Sequence, residues 1–189
     1  MKQPEITTPQ EFFLDRSKLK KHPNFSKIKN DYIDKEILEN ESAKKISGKG
    51  NAYKNTKSGY RPDLGGSFRS NWEANFARIL QIYNIKYDFE PVVFPFPIKR
   101  GTKAYTPDFY INKSTEWVEL KGYLDEKSKI KLKRFKRYYE DEFNKLTFII
   151  SKYSTDGKKF AAEIEIPRVI FYEDIRFFYA DKIPNWEGK

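Results

Sequence analysis

YTPDFYINKSTEWVELKG, residues 105–122, is the stretch that decides how this chain is interpreted. Two runs rich in apolar and aromatic residues, 104–111 and 115–121, flank the short polar sequence Asn-Lys-Ser, which is typical of a tight turn between two strands. Side chains alternate along a strand, so Glu119 and Lys121 point to the same face. If the two strands pair around the turn, Asp108 lies beside Glu119 at one end of a sheet.

Two carboxylates in close contact repel each other, and one of them holds its proton unless a cation neutralises the pair. A divalent ion that prefers oxygen ligands, such as Mg²⁺, is the natural neutraliser, and it can activate a water for attack on a phosphoryl group. Lys121 is suited to orient or deprotonate that water, or to hold the phosphate. The competing interpretation of a Glu-x-Lys strand is an ordinary solvated face with alternating charges.

The segments around this stretch predict an α/β (α+β) fold with a mixed central sheet flanked by helices. Apolar spacing predicts a helix over 68–83 and another over 127–143. Further strands are predicted over 87–94, 146–151 and 168–172. Residues 67–189 therefore form the expected core, and residues 1–66 a basic, mostly helical extension. That extension ends in a loop or extended arm, predicted over 47–66, which is rich in Gly, Ser, Asn and Lys.

The composition of the 189-residue chain excludes several classes of site. There is no Cys, so thiolate nucleophiles, disulfides and Cys-ligated metals are excluded, and a single His, His22, rules out a His-pair metal site. No apolar run approaches the length of a membrane span, and the N-terminus lacks the apolar core of a signal peptide, so we expect a cytoplasmic protein without membrane contact. The formal net charge of +10 favours a polyanionic partner, with nucleic acid first.

The pattern Pro107-Asp108 followed by Glu119-x-Lys121 resembles the PD-(D/E)xK nuclease superfamily, and residues 105–122 look most like its phage endonuclease I branch. The upstream block FRSNWEANFARIL, residues 68–80, is similar to the RSxWE-type helix of phage and homing nucleases. The resemblance, which covers about residues 67–151, implies a restriction-endonuclease-like core and a Mg²⁺ cofactor that Mn²⁺ can replace. It also implies metal ligation by Asp108, Glu119 and the Leu120 carbonyl, with Lys121 assisting the water.

In the same family a Glu from the first helix of the core often completes the metal site, and Glu73 occupies that position. The residues themselves also allow a structural role, because Ser70-Asn71-Trp72-Glu73 is a capping box in which Glu73 reaches back to a backbone amide. Glu90 is a further ligand candidate because it precedes Pro91 near the expected cluster. Asp63 follows Pro62 without a Glu-x-Lys partner and is interpreted as a loop residue.

Basic residues predict two DNA-contacting surfaces. Residues 121–137 carry a net charge of +6, and Lys129, Lys133, Lys136 and Arg137 lie away from the apolar stripe of the predicted helix. A solvated helix face is the alternative. The second surface is the loop over 47–66, whose tyrosines can stack on bases; its basic DNA-contact candidates are Lys54, Lys57 and Arg61. Arg69, beside the helix start, is a further phosphate-contact candidate.

These observations lead to the hypothesis of a Mg²⁺-dependent DNA endonuclease of phage or mobile-element type. The nearest variant is a junction resolvase acting on branched DNA, and the next is a homing or site-specific nicking endonuclease acting on duplex DNA. A homodimer or higher homo-oligomer is expected because one site per chain must cut two strands. The alternatives are a non-catalytic nucleic-acid-binding module and an RNA nuclease.

Overall fold

The computed structural model describes residues 58–188. All of the described residues belong to one compact unit, Asn55–Lys189. The boundary that the sequence suggested after residue 66 lies within the hairpin that residues 59–68 form in this unit. The predicted N-terminal helices and the DNA-contact candidates Lys54 and Lys57 lie outside the described residues.

This compact unit has an α+β fold around a mixed five-stranded sheet, as the sequence predicted. The strands are β1 (Gly59–Arg61), β2 (Gly66–Phe68), β3 (Tyr87–Phe89), β4 (Phe94–Pro95), β5 (Ala104–Tyr105), β6 (Phe109–Ile111), β7 (Glu116–Lys121), β8 (Leu146–Ile150) and β9 (Arg168–Phe171). The helices are α1 (Asn71–Ile82), α2 (Glu126–Tyr138), α3 (Glu140–Phe143), α4 (Thr155–Glu163) and α5 (Tyr172–Tyr179), followed by a 3-10 turn at Ala180–Lys182.

The main sheet has the strand order β3-β6-β7-β8-β9. Strands β3, β6 and β7 pair antiparallel, whereas β7, β8 and β9 run parallel. The parallel connections pass through helices, α2 and α3 between β7 and β8, and α4 between β8 and β9, as parallel neighbours require. The carboxyl ends of β7, β8 and β9 therefore lie at the same edge of the sheet.

Both faces of the sheet are covered, and β8 (LTFII) is accordingly an almost continuous run of buried apolar residues. On one face, a cluster that includes Trp117 and Phe148 packs against Phe135 of α2 and Phe160 of α4. On the other, α1 packs against β6, and its Phe76 ring lies 5.1 Å from that of Phe109. None of the helices between residues 58 and 188 combines the length and apolar character needed to span a bilayer.

Several predicted elements are shorter or interrupted. The predicted helix over 127–143 is broken at Tyr139 into α2 and α3, and the predicted strand over 87–94 becomes β3 and the separate β4. Helices α4 and α5 were not predicted, because their short apolar stripes are masked by charged residues. The prediction of a loop over 47–66 is wrong for Gly59–Arg61 and for Gly66, because Gly59–Arg61 pairs with Gly66–Phe68 as a β-hairpin.

A partly buried ion-pair network, in which the arginines are buried and the carboxylates about a quarter exposed, holds this hairpin and the C-terminal tail against α1. The Arg61 guanidinium donates two hydrogen bonds to the Glu187 carboxylate, at 2.8 and 2.9 Å. Arg78 of α1 donates to Asp63 at 2.6 Å and to the same Glu187 at 2.8 Å. Asn75 accepts a bond from the Glu187 backbone N–H at 2.9 Å. Asp63, expected to be a loop residue, is therefore a structural ion-pair partner on the turn between β1 and β2.

This network predicts acid sensitivity of the fold. The Arg78 guanidinium holds the pKa of Asp63 below its usual value, and the bonds from Arg61 and Arg78 outweigh the desolvation of Glu187 and lower its pKa as well. A carboxylate with a depressed folded-state pKa stabilises the fold above its unfolded pKa of about 4, and this contribution is lost as the pH falls through the folded value. We expect the urea midpoint to fall between about pH 5 and pH 3, and Asp63→Asn to make that decline shallower. An equally steep decline in the variant would contradict this assignment.

The start of α4 predicts an unusual response to a glycine substitution. Ser154 caps the helix, its hydroxyl accepting from the Gly157 N–H at 3.0 Å, and a Cβ on Gly157 would lie 2.7 Å from that hydroxyl oxygen. Gly→Ala inside a helix normally stabilises it by about 1 kcal/mol. Here the displaced cap offsets that gain, since losing a cap costs about 1 kcal/mol. We expect Gly157→Ala to be neutral or destabilising in wild type and stabilising in a Ser154→Ala background, as measured by urea unfolding. A stabilisation of similar size in both backgrounds would contradict the steric argument.

Candidate active site

The β6–β7 hairpin brings together the acidic and basic residues singled out from the sequence. Phe109 pairs with Val118 and Ile111 with Glu116, so Asp108, one residue before β6, lies opposite Glu119. The Leu120 N–H donates to Asp108 Oδ2 at 2.8 Å, which ties the two strands at this point. The Lys121 ammonium lies 2.6 Å from Glu119 Oε1. The predicted hairpin and the predicted proximity of these three side chains are confirmed.

This cluster is buried on the carboxylate side and open on the ammonium side. Asp108 and Glu119 are 4% and 2% exposed, whereas the Lys121 side chain is 25% exposed. Strand β7 ends at Lys121, so the site lies at the edge of the sheet where the chain turns toward α2. A ligand that approaches from solvent therefore meets Lys121 first and the carboxylates behind it.

Tyr105 is a site residue that the sequence analysis missed. Its hydroxyl donates to Glu119 Oε2 at 2.9 Å, and its ring packs against Phe135 of α2. The chain has 13 tyrosines, and nothing in the local pattern distinguishes this one except its position before Pro107-Asp108. Tyr105 lies on β5, which pairs with β4 outside the main sheet, and from there its hydroxyl reaches Glu119.

The burial and the crowding of like charges perturb the ionisation of the cluster. Desolvation, followed by the charge of Glu119, raises the pKa of Asp108 well above its ordinary value. Burial alone would lower the pKa of Lys121, but the charges of Glu119 and Asp108 outweigh it and raise that pKa. Burial and the neighbouring Glu119 carboxylate also raise the pKa of the Tyr105 hydroxyl. Shifts of this kind, from desolvation plus specific charge partners, are typical of functional sites.

Glu73 lies near the cluster but forms the capping arrangement that its sequence context also predicted. It sits in the first turn of α1, its N–H donates to the Ser70 hydroxyl at 3.2 Å, and its carboxylate accepts from the Arg69 N–H at 2.8 Å. Desolvation raises its pKa, and its charge also acts on Asp108 and Lys121. The capping role is therefore observed, and the metal-binding role stays a prediction.

The donor set fits a hard divalent cation, although no cage of side chains is preassembled. Within residues 58–188, no group of three or more His, Cys, Asp or Glu side chains is arranged to hold a metal ion. Mg²⁺ does not need such a cage, because it is usually bound by one or two carboxylates plus waters. Asp108, Glu119 and Glu73, if all ionised, would outnumber the single ammonium of Lys121, and a divalent cation would neutralise that excess and so favour their ionised forms.

Two of the predicted phosphate contacts have protein partners instead. Arg61 is 7% exposed and belongs to the ion-pair network described above, so it is not part of an exposed DNA-binding loop. Arg69 is well exposed but lies 2.7 Å from a carboxylate oxygen of Glu90. Glu90 itself is adjacent to the site through its backbone, since its N–H donates to the Asp108 carbonyl at 2.9 Å.

The basic face of α2 is also largely neutralised by acidic neighbours. Lys133 and Lys136 pair with Glu163 and Glu165, at 2.7 and 2.8 Å, and Lys129 pairs with Glu126 within its own helix. The Arg137 guanidinium lies over the Tyr138 ring. Because exposed ion pairs contribute little and exchange easily, these residues remain available to phosphates, but they do not form the uncompensated positive stripe that the sequence suggested.

The sequence matches no protein-family model, and it matches neither a curated protein nor a solved structure.

Proposed function

We propose that this chain is a divalent-metal-dependent nuclease that hydrolyses phosphodiester bonds in DNA, of the PD-(D/E)xK type. The observation that carries the proposal is the buried pair Asp108 and Glu119, held side by side by the β6–β7 hairpin with Lys121 at 2.6 Å from Glu119. A purely structural ion pair needs one carboxylate per ammonium. Here a second buried carboxylate is retained although its ionisation is unfavourable, which is expected where a cation is to be bound.

Each residue of the cluster has a distinct part in this proposal. Asp108 and Glu119, with the Leu120 carbonyl as a backbone donor, would hold Mg²⁺ or Mn²⁺. Such a metal supplies a water of lowered pKa and stabilises the charge that develops on a phosphoryl oxygen. Tyr105 orients the Glu119 carboxylate through its hydrogen bond. Lys121, cationic beside Glu119 and the most exposed of the group, is placed to bind a phosphate oxygen or to orient the attacking water.

DNA is the substrate that the chain's charge favours. A net charge of +10 attracts a polyanion over long range, and this attraction weakens as salt is added. Branched DNA or a specific duplex site is the proposed substrate class. One site per chain favours a homodimer for cutting both strands, and light scattering of the free and DNA-bound protein tests that pairing.

The direct test is incubation of supercoiled plasmid with the purified full chain in Mg²⁺, in Mn²⁺ and in EDTA. We expect nicked or linear product with either metal and none in EDTA. Lys121→Met should reduce the rate at least about tenfold, since it removes a charged group from the reaction centre. Lys145→Met is the control, because Lys145 forms a half-exposed pair with Glu142 instead.

Binding without cleavage in both metals would contradict the nuclease proposal and leave the non-catalytic DNA-binding module. A panel comprising a four-way junction, a linear duplex and a single strand distinguishes the variants. Preferred cutting of the junction supports the resolvase variant. Site-dependent cutting of a long duplex supports the homing or nicking variant.

A further inference from the structure

Two exposed tyrosines lie on neighbouring loops at the edge of the sheet that carries the candidate site. Lys121 at the end of β7 pairs with Ile150 at the end of β8, so the two strands finish side by side. Tyr123 follows two residues after Lys121, and Tyr153 three residues after Ile150. The side chains are 66% and 64% exposed, which is high for an aromatic residue.

The loop that presents Tyr153 is anchored by hydrogen bonds. The Ser151 hydroxyl and the Lys152 N–H both donate to the Glu173 carboxylate, and the Tyr153 N–H donates to the Ser151 hydroxyl at 3.2 Å. The Lys152 ammonium lies 5.2 Å from the centre of the Tyr153 ring. The loop therefore offers an aromatic face and a positive charge in a fixed place.

The loop that presents Tyr123 lies against aromatic side chains. Gly122 precedes it, and a Cβ at Gly122 would contact the Trp72 ring at 3.7 Å. The Trp72 ring is in turn stacked on Tyr172, with centroids 3.8 Å apart and planes 6° apart. The first loop therefore passes close to these two stacked rings where it leaves β7, and Tyr123 follows directly with a side chain that is 66% exposed.

We infer that Tyr123 and Tyr153 form a stacking surface for unpaired nucleobases beside the candidate active site. The inference rests on the proposed function and narrows its substrate class to DNA with a single-stranded segment next to the cleavage point, such as a branch or flap. Bases in a continuous duplex are stacked on each other and do not offer a face to these rings, whereas an unpaired base does. The nearby Lys152 and Lys121 supply the charge that a phosphate backbone requires.

A protein partner is a less suitable occupant for this surface. Interfaces are depleted of lysine, whereas aromatic rings interleaved with lysines are the arrangement that binds single-stranded nucleic acid. The most exposed aromatic of the described residues, Phe177 at 80%, lies on α5, and it has Phe178 beside it at a ring distance of 5.3 Å. Phe177 therefore serves as a control for exposed aromatic area, because it lies on helix α5 and not on either of the two loops.

The test measures binding in EDTA, so that cleavage does not enter. The probes are a labelled oligo-dT of about 15 nucleotides and a duplex of the same length, with affinity read by fluorescence anisotropy. We expect the double variant Tyr123→Ala/Tyr153→Ala to bind the single strand roughly 5- to 100-fold more weakly, with less than about a twofold change for the duplex. The ring-preserving variant Tyr123→Phe/Tyr153→Phe should retain most of the single-strand affinity, and Phe177→Ala should leave both affinities unchanged.

Equal losses for both probes, or no loss for the single strand, would overturn the stacking inference. Unfolding midpoints of the variants by urea separate misfolding from lost contacts, and the single variants Tyr123→Ala and Tyr153→Ala, each of which should weaken single-strand binding by itself, keep the test decisive if the double variant is unstable. The result is independent of catalysis. If the protein does not cut DNA but binds single strands in a tyrosine-dependent way, the stacking inference holds and the nuclease proposal fails. If it cuts DNA but shows no such preference, the nuclease proposal holds and the stacking inference fails.

Discussion

Asp108→Asn is expected to abolish DNA cleavage while making the protein more stable. Loss of a group next to a metal ligand commonly costs 10- to 100-fold, so loss of a proposed ligand should reduce cleavage by at least about 100-fold. Stability should move in the opposite direction. The raised pKa of Asp108 means that folding disfavours its charged form, so this carboxyl group destabilises the fold at pH values above its ordinary pKa. Asparagine removes the charge and keeps an oxygen for the Leu120 N–H.

The two effects are measured separately, by the plasmid cleavage rate in Mg²⁺ and by the urea midpoint at pH 7. Asp88→Asn is the matched control, because Asp88 lies exposed on β3 and accepts a hydrogen bond from Asn112 at 2.9 Å. It should leave cleavage unchanged. A variant at Asp108 that is inactive and also less stable would mean that the carboxylate is structural. A variant that remains active would exclude Asp108 from the reaction.

Arg78→Met is expected to lower the free energy of unfolding by about 3 kcal/mol, the largest stability effect that we predict. The Arg78 side chain is 7% exposed and serves two carboxylates, Asp63 and Glu187, together with the Asn75 side chain at 3.0 Å. Removing one partner of a buried pair is costly because the remaining charges lose their compensation. The loss should loosen the β1–β2 hairpin and the C-terminal tail together. Glu187 in the tail binds both Arg61 of the hairpin and Arg78 of α1, so the three segments share one network.

Urea unfolding of Arg78→Met in wild type and in a Glu187→Gln background measures this coupling. Because Arg78 and Glu187 share one network, the second substitution should cost less than the first, and the difference is their interaction energy. Arg176→Met, on the exposed side of α5, is the control and should change stability by less than about 0.5 kcal/mol. A loss below about 1 kcal/mol for Arg78→Met, or strict additivity with Glu187→Gln, would contradict the network.

The β6–β7 hairpin was predictable because its signals are local. An alternating pattern, a short polar turn and a fixed spacing determine which side chains face each other, so the proximity of Asp108 and Glu119 follows from 18 consecutive residues. The capping box at Ser70 and Glu73 was predictable for the same reason. Neither required knowledge of distant segments.

The environment of these side chains could not be predicted from local patterns. Tyr105 reaches Glu119 from β5, outside the main sheet, and Glu187 meets Arg61 across 126 positions of sequence. Charge pairing was also hidden: the lysines of α2 are a basic run in sequence, but α4 and the loop after it place Glu163 and Glu165 beside them. The sequence gives the charge of each side chain, but only the packing of α2 against α4 shows which acidic residue lies beside each lysine.

By itself, the sequence determined the α+β class, the strand pair that carries the two carboxylates and the position of the helix cap, because each depends on residues only a few positions apart. The tertiary structure alone decided which carboxylates lose their water, which arginines become structural and which tyrosines stand exposed at the edge of the sheet. Burial and long-range charge pairing are set by the packing of elements far apart in the chain, and their energies depend on that packing more than on residue type.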